Sequence, residues 1–263
     1  MKISLIITTY NWVEALELTL KSVENQTVLP DEIIIADDGS GNDTKEFIND
    51  YKKCFKIPIN HVWQEDRGFR AALIRNKAIY KSTGDYIIGI DGDMILHPLF
   101  IENHIKFAKE GRYIQGGRVL LTKNKTNKIL KEKRIDIRWY ENGIKNRKNA
   151  IYSNLLAKIF SYTSKQWENI RSCNFSLYKY DIKRVNGFNN NFTKWGREDS
   201  EFVVRLINSG VEVFHLKFNA IAYHLYHKEN KKDLTENDTI LLHTIKNNLN
   251  YCNNGLKESL YID

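Results

Sequence analysis

Three short acidic groups and one histidine-containing stretch hold the side chains of this sequence best suited to chemistry. Asp91-Gly92-Asp93 follows the apolar run Tyr86–Ile90, Asp37-Asp38-Gly39-Ser40 follows Ile33–Ala36, and Glu198-Asp199 follows Trp195-Gly196-Arg197. Carboxylates at a strand end can hold a hard divalent cation, and a glycine between them lets a phosphate approach the backbone. An adjacent acidic pair can supply the general base that takes a proton from a hydroxyl nucleophile. Tyr223-His224-Leu225-Tyr226-His227 adds imidazoles, which are competent metal ligands at neutral pH. A D-x-D triplet alone is a weak signal. The order of these groups along the chain is a stronger one.

The elements that must position them alternate over the first 120 residues. Runs rich in Ile and Val predict strands at 3–8, 32–37, 58–63 and 85–90. Between them, Val13, Leu16, Leu20 and Val23 have helical spacing over 13–25, Asn42 is placed to cap a helix at 43–53, and a third helix is expected at 70–82. This alternation predicts an α/β fold with a mostly parallel sheet flanked by helices. Ligands of such sheets bind beyond the carboxyl ends of the strands, where Thr8–Tyr10, Asp37–Asp38 and Asp91–Asp93 all fall. From Lys123 to Tyr152 the pattern weakens to a charged loop or short amphipathic excursion. Further strands are expected at 172–178, 211–214 and 220–224, with helices at 198–209 and 236–250. No repeat or Pro/Gly/Ser-rich linker divides the chain. One domain is expected, with halves at 1–120 and 121–230 and a C-terminal helical extension over 231–263.

Composition narrows the function classes. A hydrophobic fraction of 42% supports a sizeable core, and no apolar run approaches the roughly 20 residues of a membrane span. Met1-Lys2 leads straight into a strand without a secretory pattern, so a cytoplasmic protein is expected. Three widely spaced cysteines, Cys54, Cys173 and Cys252, have neither metal-type nor redox-type spacing. The net charge of +8 is concentrated between Lys123 and Lys148. A solvated segment is the plain reading of that run, and contact with a phosphorylated or membrane-attached acceptor is the second. Nucleic acid is disfavoured, because no recognition motif accompanies the charge. No G-x-G-x-x-G or P-loop motif is present, which argues against a nicotinamide dehydrogenase or P-loop nucleotidase. A glycoside hydrolase would use paired carboxylates without needing a nucleotide-like first half.

Taken in order, Ile6–Asn11, Asp37–Ser40, Arg70–Asn76 and Asp91–Asp93 resemble a family 2 inverting glycosyltransferase of the GT-A (Rossmann-like) fold. Asn174-Phe175, Gly187-Phe188, Trp195–Asp199 and His224 resemble a galactosyltransferase-type C-terminal segment, and the likeness covers about residues 1–230. It implies a UDP-sugar donor and Mn²⁺ or Mg²⁺, with Asp93 the more direct metal ligand and Asp91 partly given to ribose. Thr8, Tyr10, Asp37, Asp38, Arg70 and Gly92 would complete the nucleotide site. In it, Tyr10 would stack on uracil, Asp37 or Asp38 would accept from the base, and Arg70 would reach the base edge or a phosphate. Asp66 is a pocket or a turn residue, and Arg75 and Asn76 would brace their helix against the metal loop. Asp199 takes the general base role, and Glu198 contacts the acceptor or a donor-sugar hydroxyl. Trp195 offers an aromatic face, and Asn174 and His227 join the sugar-contacting set. His224 completes the metal site, with His227 its alternate.

The implied reaction moves one sugar to a cell-surface glycan such as lipopolysaccharide, capsule or a glycoprotein glycan. A non-catalytic GT-A-like module that binds sugar or a partner is the alternative, disfavoured because Asp93 and Asp199 are both present. Peripheral contact with the anionic inner face of the cell membrane, through the basic segment, is a further expectation.

Overall fold

The computed structural model describes residues 1–228 and 234–262. Its first half is β1 (Ile3–Thr9), α1 (Val13–Glu24), β2 (Glu32–Asp37), α2 (Asn42–Cys54), β3 (Ile59–Trp63), α3 (Ala71–Lys81) and β4 (Tyr86–Asp91). These match the expected elements closely. Asn42 is the exception in detail: it stands inside α2, and Gly41 occupies the cap. Next come β5 (Met94–Leu96), α4 (Phe100–Phe107), β6 (Arg112–Gln115), β7 (Gly117–Leu120), α5 (Lys123–Glu132), α6 (Asn154–Phe160) and β8 (Tyr162–Ser164). The last third holds β9 (Asn174–Tyr178), α7 (Lys179–Arg184), α8 (Glu198–Asn208), β10 (Glu212–His215), β11 (Ile221–His224) and α9 (Thr235–Lys246).

An eight-stranded sheet runs in the order β3-β2-β1-β4-β9-β6-β10-β8, and a three-stranded sheet in the order β5-β11-β7. Strands β3, β2, β1 and β4 are parallel, as are β6 and β10. Between these two groups, β9 runs antiparallel to both β4 and β6. β1 is buried along almost its whole length and β2 along all of it, as expected of strands covered on both faces. Near its middle β4 carries Gly89, where a Cβ would lie 2.2 Å from the Phe175 ring; only glycine lets that ring cross the strand.

α1 joins the two sheets. Leu16, Leu20 and Val23 pack into one core with β1, β2 and β4, while Ala15 and Leu18 pack against Ile95, Val119 and Tyr223 of the small sheet. The run from Lys123 is more ordered than its charge suggests. Thr122 caps α5 by accepting from the Lys125 backbone N–H at 3.4 Å. Lys125 and Arg134 pair with Glu141, and Lys133 pairs with Glu17. Glu141 and Glu17 thus meet three of the ten cations in the run from Lys123 to Lys148.

The expected boundary between residues 230 and 231 lies outside the described residues. Beyond it, α9 packs on α8, with the Thr244 hydroxyl donating to Glu201 Oε1 at 3.1 Å. The chain then returns to the core. Leu256 joins the cluster around Phe188, and its N–H donates to Asn186 O at 2.7 Å.

Candidate active site

Beyond the carboxyl ends of β1, β2 and β4 lies a cleft of about 1200 Å³. That is larger than a pocket for one small ligand and leaves room for a donor and an acceptor together. The strand register builds its floor. Thr8 sits beside Asp91, and Thr9 sits beside Asp37. Gly92 turns the chain here, its N–H donating to Thr8 O at 2.7 Å. A Cβ on Gly92 would meet Thr8 O and the Thr9 side chain at 3.1 Å, so the space left by its missing side chain holds the end of β1.

Arg75, almost fully buried on α3, is the hub of the cleft. Its guanidinium lies 3.3 Å from Thr8 Oγ1, 3.3 Å from Asp91 Oδ1 and 3.3 Å from Glu198 Oε1. It therefore ties the first acidic strand end to the second acidic pair, beyond the bracing expected of it. Asn76 works elsewhere: its side chain donates to Phe188 O at 2.7 Å and accepts from Phe188 N at 2.9 Å, holding the Gly187–Phe188 turn.

Glu198 and Asp199 open α8, where the helix dipole favours carboxylates. The preceding turn aims them. Gly196 has φ 101°, and Arg197, at φ 74°, adopts the left-handed region that a side chain enters only at a cost of about 1–3 kcal/mol. Contacts from α9 hold this conformation. The buried Asn237 amide donates to Lys194 O at 3.0 Å and to Gly196 O at 2.6 Å, and Arg197 Nε donates to Asp238 Oδ1 at 2.7 Å. Asp199 accepts from the N–H of Ser200 at 2.7 Å and of Ser172 at 3.3 Å. Burial raises its carboxyl above the usual range despite Arg75 and these bonds. Burial and the adjacent Asp199 push Glu198 up to about 7, and its Oε2 is buried without a partner among the described residues.

On the opposite wall, pairing of β11 with β5 sets His224 beside Met94, and Leu225 N–H donates to Asp93 O at 3.0 Å. The result is a three-residue cluster in which Asp93 Oδ2 lies 3.4 Å from Nε2 of both His224 and His227. The ligating atoms of all three lie within 4.8 Å of one another. Burial and the nearby Asp91 push Asp93 up to about 8, while burial, Arg118 and His227 hold His224 down at about 3. Asp93 Oδ1 is buried without a partner among the described residues. An orphaned carboxylate oxygen beside two imidazoles suits a divalent cation, so these residues fit the metal that the resemblance implies. The two histidines posed in the sequence as alternates stand together.

The nucleotide set divides. Thr8, Tyr10, Asp38, Asp91 and Gly92 line the cleft, as do Trp195 and Asp66. Tyr10 is 52% exposed and donates from its hydroxyl to Asp66 Oδ2 at 2.8 Å. Asp38 accepts from Gln64 Nε2 at 2.6 Å and from Arg70 N at 2.9 Å. Asp37, Arg70 and Asn174 lie outside the lining. Asp37 is fully buried, accepting from Ser40 N at 2.8 Å and pairing with His61 Nε2 at 2.9 Å, so it shapes the turn. Arg70 stands at the N-cap position of α3 without a side-chain cap bond, and its guanidinium donates to Glu65 O. Asn174 is buried in the sheet, where its amide donates to Gly117 O at 2.9 Å and Ala220 O at 2.8 Å, and its oxygen meets His104 Nε2 at 2.9 Å. It links the two sheets, with its amide hydrogen bonds already taken up there. Sequence reasoning missed Arg118 and Arg171 in the lining, while Lys145, which also lines it, belongs to the basic run whose second reading was acceptor contact. Arg118, a lone cation in the short apolar strand after Gly116-Gly117, carried a usable signal.

With this geometry in view, the comparisons are specific. Residues 4–170 match the family described as Glycosyl transferase family 2, and residues 156–228 match the N-terminal domain of galactosyltransferase. Chondroitin synthase of Escherichia coli is 27% identical over 271 residues, covering 95% of this chain and 38% of that protein. Among solved structures, S. aureus TarS 1–349 in complex with UDP superposes with TM-score 0.63 at 16% identity, over 98% of this chain and 68% of that one. Mannosyltransferase PcManGT from Pyrobaculum calidifontis, in complex with GDP-Man and Mn²⁺, gives 0.59 at 16%, over 87% and 58%. The chain thus spans well under half of the curated synthase it matches, and its architecture is that of the GT-A glycosyltransferases. It belongs to glycosyl transferase family 2.

Proposed function

We propose that this chain transfers a single sugar from a UDP-sugar to a glycan acceptor, with inversion at the anomeric carbon. The observation that carries this reading is the meeting, in one cleft, of the Asp93–His224–His227 cluster with Glu198-Asp199, Arg75 joining Glu198 to Asp91. The nucleotide complexes of structural neighbours support a sugar-nucleotide donor. Tyr10 offers an exposed ring for the base, and Asp38 a carboxylate beside it.

Asp199 acts as the general base. An acceptor hydroxyl beside it attacks C1 from the face opposite the diphosphate. The new O–C1 bond forms as the bond from C1 to the phosphate oxygen breaks, and the proton passes to the Asp199 carboxylate. The backbone bonds to Asp199 fix its rotamer beforehand, and Glu198 Oε2, without a partner among the described residues, accepts from a donor or acceptor hydroxyl. Asp93, His224 and His227 would hold Mn²⁺ or Mg²⁺, which when bound supplies Lewis-acid neutralisation of the departing diphosphate. A surface glycan such as lipopolysaccharide, capsule or a glycoprotein glycan remains the acceptor class we favour. Unpaired thiols at all three cysteines support a cytoplasmic setting.

The test is UDP release from a panel of UDP-sugars with Mn²⁺, Mg²⁺ or chelator. Chelator-sensitive hydrolysis of one donor, lost in Asp93→Ala, is expected. Failure of every donor, together with calorimetry that detects no UDP binding, would overturn the reading in favour of a non-catalytic module.

A further inference from the structure

We propose that the face made by α6 and the start of β8 docks on an anionic lipid surface, which presents the acceptor to the cleft; the second clause rests on the transferase reading above. α6 is inverted for a surface helix. Its buried contact is Ala157, while Leu155 is 67%, Ile159 61% and Phe160 54% exposed. Leu155 and Ile159 stand one turn apart on one face. Tyr162, 49% exposed, extends the patch into β8, and the Phe160 and Phe218 rings lie 5.7 Å apart.

Charge says what covers it. Between Glu141 and Glu168 the chain has no acidic residue. Lys158 rises from α6 itself, Lys165 follows β8, and Lys217 Nζ lies 5.8 Å from the Tyr162 ring. Large apolar side chains ringed by lysines complement an anionic bilayer. The apolar groups enter the acyl boundary, and the ammonium groups reach lipid phosphates. A second copy of this chain would bring lysines against lysines.

The strand directions place the patch with the cleft. β9 runs antiparallel to β4 and to β6, and β6 is parallel to β10, so β10 ends at the same edge of the sheet as β1 and β4. Tyr162 pairs with His215, the last residue of β10. From β8 the chain continues into Asn169–Cys173, part of the cleft wall. A lipid-borne acceptor at this edge would thus lie on the cleft side of the sheet, four strands from β4 and joined to the cleft wall through Asn169–Cys173.

The experiment is co-sedimentation of the full chain with phosphatidylcholine vesicles, with and without phosphatidylglycerol, at low and high salt. Binding is expected with the anionic vesicles only and should weaken with salt. Leu155→Ser/Ile159→Ser, and separately Lys158→Glu, should each lower the bound fraction about tenfold. Both should leave the melting temperature and donor hydrolysis in solution unchanged, which separates this proposal from the transferase reading. Parent-level binding by the double variant, or no binding by the parent, overturns the docking. So does a dimer in sedimentation velocity that the double variant abolishes, since the face would then belong to a second copy. Intact vesicle binding without donor hydrolysis would uphold the docking and overturn the acceptor role.

Discussion

The Arg75 guanidinium lies 3.3 Å from Glu198 Oε1, a contact between residues 123 apart in sequence. The same group lies 3.3 Å from Asp91 Oδ1. One buried cation thus balances a carboxylate from each half of the chain. Arg75→Ala would leave both uncompensated, and a loss of about 3–5 kcal/mol is expected for a broken buried pair. Urea unfolding measures it; a loss below about 1 kcal/mol would show that water or other cations take over the role. Arg75→Lys should recover only part, because an ammonium lacks the planar fork that spans several acceptors.

Asp93→Ala should abolish divalent-cation binding by calorimetry. His224→Ala should weaken it at least by the ~10–100-fold that loss of a supporting partner costs a metal site. His227 is the more exposed imidazole, with its side chain at 45% against 14% for His224, so His227→Ala should cost less. Mn²⁺ should act at lower concentration than Mg²⁺, which binds imidazole poorly and dehydrates reluctantly. Parent-level affinity in all three variants would remove the cluster from the metal site.

Two pH effects follow from Glu198 and Asp199. A base works only when ionised, and both carboxyls are held above their usual range, so kcat should climb with pH across the mildly acidic region. Asp199→Asn should cut kcat about 10²–10⁴-fold while UDP still binds. Near-normal turnover in that variant would move the base elsewhere.

The second effect is on stability. Folding raises Glu198 to about 7, so the folded state holds that proton more tightly than the unfolded chain does. This contribution is full below the unfolded value of roughly 4.3 and is lost as pH rises through about 7. Glu198→Gln should therefore flatten the fall in melting temperature between pH 5 and 8, measured without divalent cation. An unchanged slope would mean that Glu198 is already ionised at pH 5.

Asn237 supports the turn before the acidic pair from a different element, so Asn237→Ala should act at a distance. Loss of its two bonds should cost about 1–3 kcal/mol of stability. It should also lower kcat at least tenfold through a misplaced base, with KM for the donor little changed. If kcat holds while the melting point drops, the contact is structural only.

Much of this molecule was legible in its residues, for a local reason. Ile-rich runs such as Ile33–Ala36 and Tyr86–Ile90 become strands because both faces are covered, and an acid or glycine ends each of them at the ligand-binding edge. The acidic strand ends and the Glu198-Asp199 pair could therefore be singled out by residue type and position, while their metal and base roles came from the family resemblance. β5, β6 and β7, of three or four residues each, are too short to show a period, and α5 hid behind its lysines. Asp37 and Asn174 carry the right chemistry in the right motifs, yet their polar atoms are spent on His61, Ser40, Gly117 and Ala220. Only folding could decide that, since a side chain's partners come from strands far away in sequence. The same holds for His224 and His227, brought to Asp93 by pairing of β11 with β5, and for Arg75 between Asp91 and Glu198. Residue type and local period determined the elements and the available chemistry. Long-range strand pairing decided which of those groups meet, because burial and distance are properties of the packed chain.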